Sequence, residues 1–121
     1  MLDIRVGLSQ IGSRAQAGTY ESADFHELVE FAIKNNITTF DTSPNYGNGD
    51  ILLSGLPNEL KKVIKINSKS SPGLTNLNSS EQTIKIKEQI DLTLKRFSKS
   101  KINTFFINKP NVKKLSLFLF D

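Results

Sequence analysis

The 121-residue chain has no cysteine and no tryptophan, and its only histidine is His26. Without cysteine there is no disulfide, no thiolate zinc site, no iron–sulfur ligation and no cysteine nucleophile. A lone histidine excludes a multi-histidine metal centre, so no metal is expected. His26 sits beside Phe25 on an expected helix face, far from any strand end, and reads as a surface or half-buried helix residue. No stretch reaches the about 18 consecutive apolar residues of a membrane span. The opening Met1-Leu2-Asp3-Ile4-Arg5 carries charge where a secretory signal needs an apolar run. The expectation is a cytoplasmic protein without a membrane segment. Arginine is scarce, at positions 5, 14 and 96 only, although 16 basic against 12 acidic residues leave a formal net charge of +4. The excess is lysine, spread along the second half of the chain. Nucleic-acid grooves combine arginine with stacking aromatics, so the charge reads as a solvated lysine surface and no nucleic-acid partner is expected.

The length suffices for one domain with its own core but not for a complete (β/α)8 barrel, which needs about 250 residues. Strands are expected at Ile4–Leu8, Ile37–Thr42, Val63–Ser68 and Ile102–Ile107, where apolar and β-branched residues cluster between turn signals. Ser9 to Thr19, with Gly12 and Gly18, reads as a loop. Phe25, Leu28, Val29, Ala32 and Ile33 recur at helical spacing, with Ser22 as expected N-cap, Asp24 in the first turn and Asn35-Asn36 as the stop. Ser43 to Gly49 is turn chemistry, followed by a short helix at 50–55 and a helical or irregular 57–62. Ser79 with Gln82 suggests a capping box opening a helix over 81–98, whose apolar residues are Ile86, Ile90, Leu94 and Phe97. Phe105 and Phe106 straddle the fourth strand, as in a strand buried on both sides.

Alternating strands and helices point to an α/β protein with a parallel sheet. Two architectures fit: an open doubly wound sheet, or about the first four β/α units of a (β/α)8 barrel. A Gly-x-Gly-x-x-Gly fingerprint is absent after the first strand, which weighs against the dinucleotide-binding version of the former. In both, chemistry collects at the C-terminal strand ends. Those ends bring Asp41, Tyr46 and Lys69 into consideration. On residues alone they admit two readings. A tyrosine beside an ammonium held by a carboxylate can donate a proton to a carbonyl oxygen. Equally, Asp41 can cap a turn, Tyr46 cover the sheet end and Lys69 face solvent.

Thr39-Phe40-Asp41-Thr42-Ser43-Pro44-Asn45-Tyr46-Gly47-Asn48 resembles the Phe-Asp-Thr-Ala/Ser-x-x-Tyr-Gly signature of the aldo-keto reductase family. Further segments resemble the family in the same order. Val6 to Gly12 is similar to its first strand and turn, and Ile64 to Lys69 to the strand ending in Ser/Thr-Lys. Leu92 to Phe97 is similar to its Ser-Leu-x-Arg-Leu helix, and Ile102 to Pro110 to the strand after it. The likeness covers nearly all of residues 4–110. Residues 1–110 are thus expected to form the N-terminal half of an aldo-keto reductase-like TIM barrel, with 111–121 an apolar tail foreign to the family.

The resemblance implies an NADP(H)-dependent oxidoreductase that reduces the carbonyl of a small molecule. Tyr46 would match the general acid, Lys69 the ammonium that favours its tyrosinate form, and Asp41 the partner of that lysine, also lining the cofactor. Lys65, inside the strand, is a rival for the lysine role. Ile11 would lie beside the nicotinamide. Asn108 stands where the family has histidine; its amide can donate a hydrogen bond but cannot titrate. Asp50 stands where the family usually has glutamate. In the family, most cofactor contacts, including those to the pyrophosphate and 2′-phosphate, lie in the barrel's second half. The resemblance therefore implies a truncated form with weak or no activity alone. A non-catalytic half-barrel that pairs with itself or with a complementing chain is the alternative.

Overall fold

The computed structural model of the protein describes residues 3–71, 73–99 and 101–107. Its elements run β1 (Arg5–Gly7), α1 (Ser9–Gln16), α2 (Ser22–Lys34), β2 (Thr39–Asp41), α3 (Gly49–Ser54), α4 (Asn58–Lys61), β3 (Lys65–Lys69), α5 (Ser79–Arg96) and β4 (Thr104–Phe106), with a 3-10 turn at Leu74–Asn76. All four strands are parallel and pair in chain order, β1-β2-β3-β4. A doubly wound sheet reverses its strand order at a switch point; this sheet does not. The arrangement is that of a partial β/α barrel.

Strand register decides which residues face the helices. Arg5, Val6 and Gly7 align with Thr39, Phe40 and Asp41, which align with Lys65, Ile66 and Asn67. Alternation then sends Phe40 and Ile66 to the helix side. There they join Leu8, Phe25, Val29, Ala32, Leu53, Ile64 and Phe97 in the buried core. Phe25 of α2 meets Phe40 edge-to-face, with ring centroids 6.4 Å apart. The α2 periodicity holds: Phe25, Val29 and Ala32 are buried, and Leu28 and Ile33 pack against them half-buried. His26, on the same helix, is half-buried and pairs with Glu30 one turn later.

Three helices end in the same way. After α1, the N–H groups of Thr19 and Gly18 donate to the carbonyls of Arg14 and Ala15. After α2, Ile37 and Asn36 donate to Ala32 and Ile33; after α5, Lys99 and Ser98 donate to Leu94 and Lys95. Each pair is a Schellman closure, which needs one left-handed residue. Gly18, Asn36 and Ser98 fill that place, at φ of 80°, 62° and 53°. Glycine alone avoids the Cβ–carbonyl crowding, and serine lacks the side-chain amide that makes asparagine tolerant of it.

Several expectations change. Ser9 to Gln16 is a helix, not a loop. The N-cap of α2 is Glu21 rather than Ser22, and Asp24 accepts the Glu21 backbone N–H at 3.2 Å. The start of α5 is capped by Asn78, whose carbonyl oxygen accepts from the Glu81 N–H at 2.9 Å, while the Asn78 amide also donates to the Glu81 carboxylate. This Asn-x-x-Glu pair lies one residue before the expected Ser79–Gln82 box. β4 is not buried on both sides, since Phe105 is half-buried and Phe106 is 49% exposed. Among the described residues β4 has no neighbour beyond it, and no helix covers its other face. Asn108 and the 111–121 tail lie outside the described residues. No helix among the described residues is long and apolar enough to cross a membrane.

Two substitutions test this packing by urea denaturation. Phe40→Ala is expected to cost about 3–5 kcal/mol, as for truncating a fully buried aromatic, whereas Phe31→Ala on the exposed face of α2 should change stability by less than about 0.5 kcal/mol. Ser98→Gly should stabilise by roughly 1 kcal/mol, because glycine accepts the left-handed backbone without the Cβ penalty.

Candidate functional site

The face turned away from the helices carries a polar chain across the sheet. On β2, Asp41 is two residues from Thr39 and shares its face. Its Oδ1 accepts from the Asn67 amide at 2.7 Å. The Asn67 side-chain oxygen in turn accepts from the Asn103 amide at 2.8 Å. From β1, an Arg5 guanidinium nitrogen approaches Asp41 Oδ1 to 3.9 Å, while its closer partner is Asp3 at 2.8 Å. Asn67 is buried and uses both ends of its amide, which is how a buried polar group avoids a desolvation penalty. The Asp41 side chain stays 41% exposed, so its carboxylate keeps room to accept a further donor.

Tyr46 lies on the turn after β2. The Tyr46 N–H donates to the Ser43 carbonyl at 3.0 Å, and the Ser43 hydroxyl accepts from the Asn45 N–H at 3.3 Å. Tyr46 is half-buried and packs against the edge of the core. Lys69, the last residue of β3, places its ammonium over the Tyr46 ring, 4.9 Å from the centroid. That is a cation–π contact. The structure thus brings Tyr46 and Lys69 together. Asp41 holds Asn67 and Arg5, and among the described residues it makes no ion pair with Lys69. Ile11 belongs to α1 and packs half-buried against the core. Lys65 sits at the opposite end of β3 from Lys69, exposed.

Comparison with known proteins adds a frame for this geometry. No family model matches the chain, and no curated protein does. Two solved structures from Pseudomonas aeruginosa, each titled a putative aldo-keto reductase, superpose with TM-scores of 0.68 and 0.66 at 20% sequence identity. They cover 87% of this chain. The chain shares its fold with aldo-keto reductases. It spans only about 40% of the length of those two proteins, 40% of one and 41% of the other.

Two supports for the turn at Tyr46 are not evident in the linear pattern. The first is backbone contact. A Cβ on Gly12 would overlap the Tyr46 carbonyl oxygen, and one on Gly47 would lie 2.5 Å from the Gly12 oxygen. The Asn48 N–H donates to that same Gly12 oxygen at 3.0 Å. Helix α1 therefore presses its backbone directly on the turn, and Gly47 adopts φ of 53° to receive it. The second is a charged tie. Asp50, buried at the start of α3, accepts from the Thr42 hydroxyl at 2.6 Å and from the Arg96 guanidinium at 2.7 Å. It joins the end of β2, α3 and the last turn of α5. The sequence reading placed Asp50 and Arg96 in separate motifs. Nothing in the linear pattern marks Asp50 as buried, and it is its burial that requires the distant cation.

Gly12→Ala and Gly7→Ala form a matched test. The first is expected to cost about 1–3 kcal/mol by overpacking and to shift the Tyr46 ring resonances. At Gly7 an added Cβ meets nothing within 4 Å. Its alanine variant should be neutral or slightly stabilising in thermal denaturation, with the Tyr46 resonances unmoved.

Proposed function

We propose that the chain carries the proton-donating part of an NADP(H)-dependent carbonyl reductase, with Tyr46 as general acid toward a small aldehyde or ketone. The observation that supports this reading most directly is the Lys69 ammonium 4.9 Å above the Tyr46 ring, at the C-terminal strand ends of an aldo-keto reductase-like fold. A cation in that position offsets the negative charge that grows on the phenol oxygen as its proton leaves. Asp41, held by the Asn67 amide, keeps an exposed carboxylate that can accept from the amide or hydroxyl of a bound molecule. Asn108 would orient the carbonyl oxygen by donating a hydrogen bond.

The residues present fit the nicotinamide end of such a cofactor, where polar uncharged contacts suffice. They do not fit its phosphates, since at the Tyr46 turn Lys69 stacks on the tyrosine ring and Arg96 is held by the Asp50 carboxylate. NADPH, when bound, supplies the hydride; the chain's own part is to hold the carbonyl and deliver the proton. Phosphate contacts would come from the portion of the barrel that this chain's 40% share does not span. Turnover by this chain alone is accordingly slow, and a complementing chain or second copy raises it. The absence of cysteine suits a reducing, cytoplasmic setting.

A second reading is a non-catalytic half-barrel that binds another chain. The half-exposed Phe106 on the uncovered face of the sheet favours it.

Oxidation of NADPH with a panel of small aldehydes, followed at 340 nm, separates the two. Slow carbonyl-dependent turnover is expected, falling by about 100-fold or more in Tyr46→Phe, the scale of a lost general acid. NADPH binding by that variant, read from the cofactor's fluorescence, should be unchanged. Turnover equal in wild type and Tyr46→Phe would overturn the assignment of the acid. No turnover with any carbonyl, with or without added partner, would favour the non-catalytic reading.

A further inference from the structure

The N-terminal ends of β3 and β4 border a cleft of about 670 Å³, which Lys61, Lys62, Lys65, Lys99 and Lys101 line. Asn103 lies among them, and no aspartate or glutamate of the described residues lines the cleft. Among the described residues, none of the five lysines makes an ion pair with a carboxylate. None of the acidic residues among those described is placed here. Five like charges around one cavity repel one another, more strongly where water is partly excluded. Folding has nevertheless fixed one of them in place. The Schellman closure after α5 aims Lys99 into the cleft, where its ammonium donates to the Lys61 and Ile64 carbonyls at 2.7 and 2.8 Å. Burial pushes the Lys99 ammonium down from the ordinary lysine value, the direction expected of a cation with no carboxylate beside it.

We propose that this cleft binds a small molecule carrying two or more phosphate groups. Ammonium groups take phosphates as point charges, without the fork geometry that arginine imposes. The volume falls in the roughly 300–1,000 Å³ range of small-molecule sites. Among the described residues no arginine and no aromatic ring lines the cleft, so they offer no stacking platform for the bases of a nucleic-acid strand. The site is separate from the Tyr46–Lys69 pair. Lys65 and Lys69 stand at opposite ends of β3, about 13 Å apart along the strand, and the inference does not rest on the reductase reading.

Calorimetric titration of the full chain with inorganic tripolyphosphate, at constant ionic strength and without divalent cations, tests it. One saturable site is expected. Lys62→Gln with Lys101→Gln should weaken it by about tenfold or more, the scale of a lost charge-assisted contact. Lys85→Gln with Lys95→Gln removes the same charge from exposed positions of α5 outside the cleft and should leave affinity within about twofold. In the unmodified chain, the largest tripolyphosphate-induced amide shifts should fall at 61–65 and at 98, 99, 101 and 103. Equal weakening by both pairs, several weak sites, or shifts centred elsewhere would mean diffuse attraction to lysine and overturn the proposal. So would absence of binding, or tighter binding of an oligothymidylate than of tripolyphosphate.

Discussion

Phe40 must choose a side. In a strand of alternating faces, placing it against Phe25 and the helices also places Asp41 on the opposite face, beside Arg5 and Asn67. A slip of one residue would exchange them and push a carboxylate into an apolar core. Burial of one ring thus sets the register of the sheet and the exposure of its polar chain together. Arg5, Asp41, Asn67 and Asn103 follow from that choice, one contribution from each strand or its approach.

The turn that bears Tyr46 depends on a different constraint. A side chain at position 12 would exclude the backbone contact between α1 and the Tyr46 carbonyl, so the glycine there admits the turn to its place. The buried Asp50, satisfied by Thr42 and Arg96, ties that turn to the last turn of α5. A buried carboxylate left with one hydroxyl would be costly, which makes the Arg96 contact a condition of the arrangement. The Lys69 ammonium reaches the same turn from β3. Charge is therefore distributed unevenly over the molecule. It is paired or stacked at the C-terminal strand ends, whereas among the described residues the cleft at the N-terminal ends of β3 and β4 collects lysines without a carboxylate.

Much of this was legible in the linear pattern. The α2 periodicity, the four strands and their parallel order follow from local spacing and from the alternation of element types. The boundaries and caps were less legible. Ser9 to Gln16 contains Gly12 and few strong apolar residues, so its helix depends on contact with α3 and the Tyr46 turn rather than on propensity. At α2 and α5 the capping residue moved by one, to Glu21 and Asn78, because the acids at Asp24 and Glu81 offered partners that the serines lacked. Phe106 was expected to be buried by its type, yet burial needs a neighbouring layer, and none of the described residues provides one on that face.

The residues by themselves determined the class of fold and singled out Asp41, Tyr46 and Lys69, since strand ends in a parallel β/α arrangement are readable from periodicity. Tertiary structure alone decided their partners. Asp41 takes Asn67, 26 positions away, and Lys69 stacks over Tyr46 rather than pairing with Asp41. Arg96 reaches Asp50 across 46 positions, and Lys99 reaches the carbonyls of Lys61 and Ile64. Hydrogen bonds and ion pairs act over a few ångströms whatever the separation along the chain. Which distant groups meet is set by register and packing, and neither is written in any single segment.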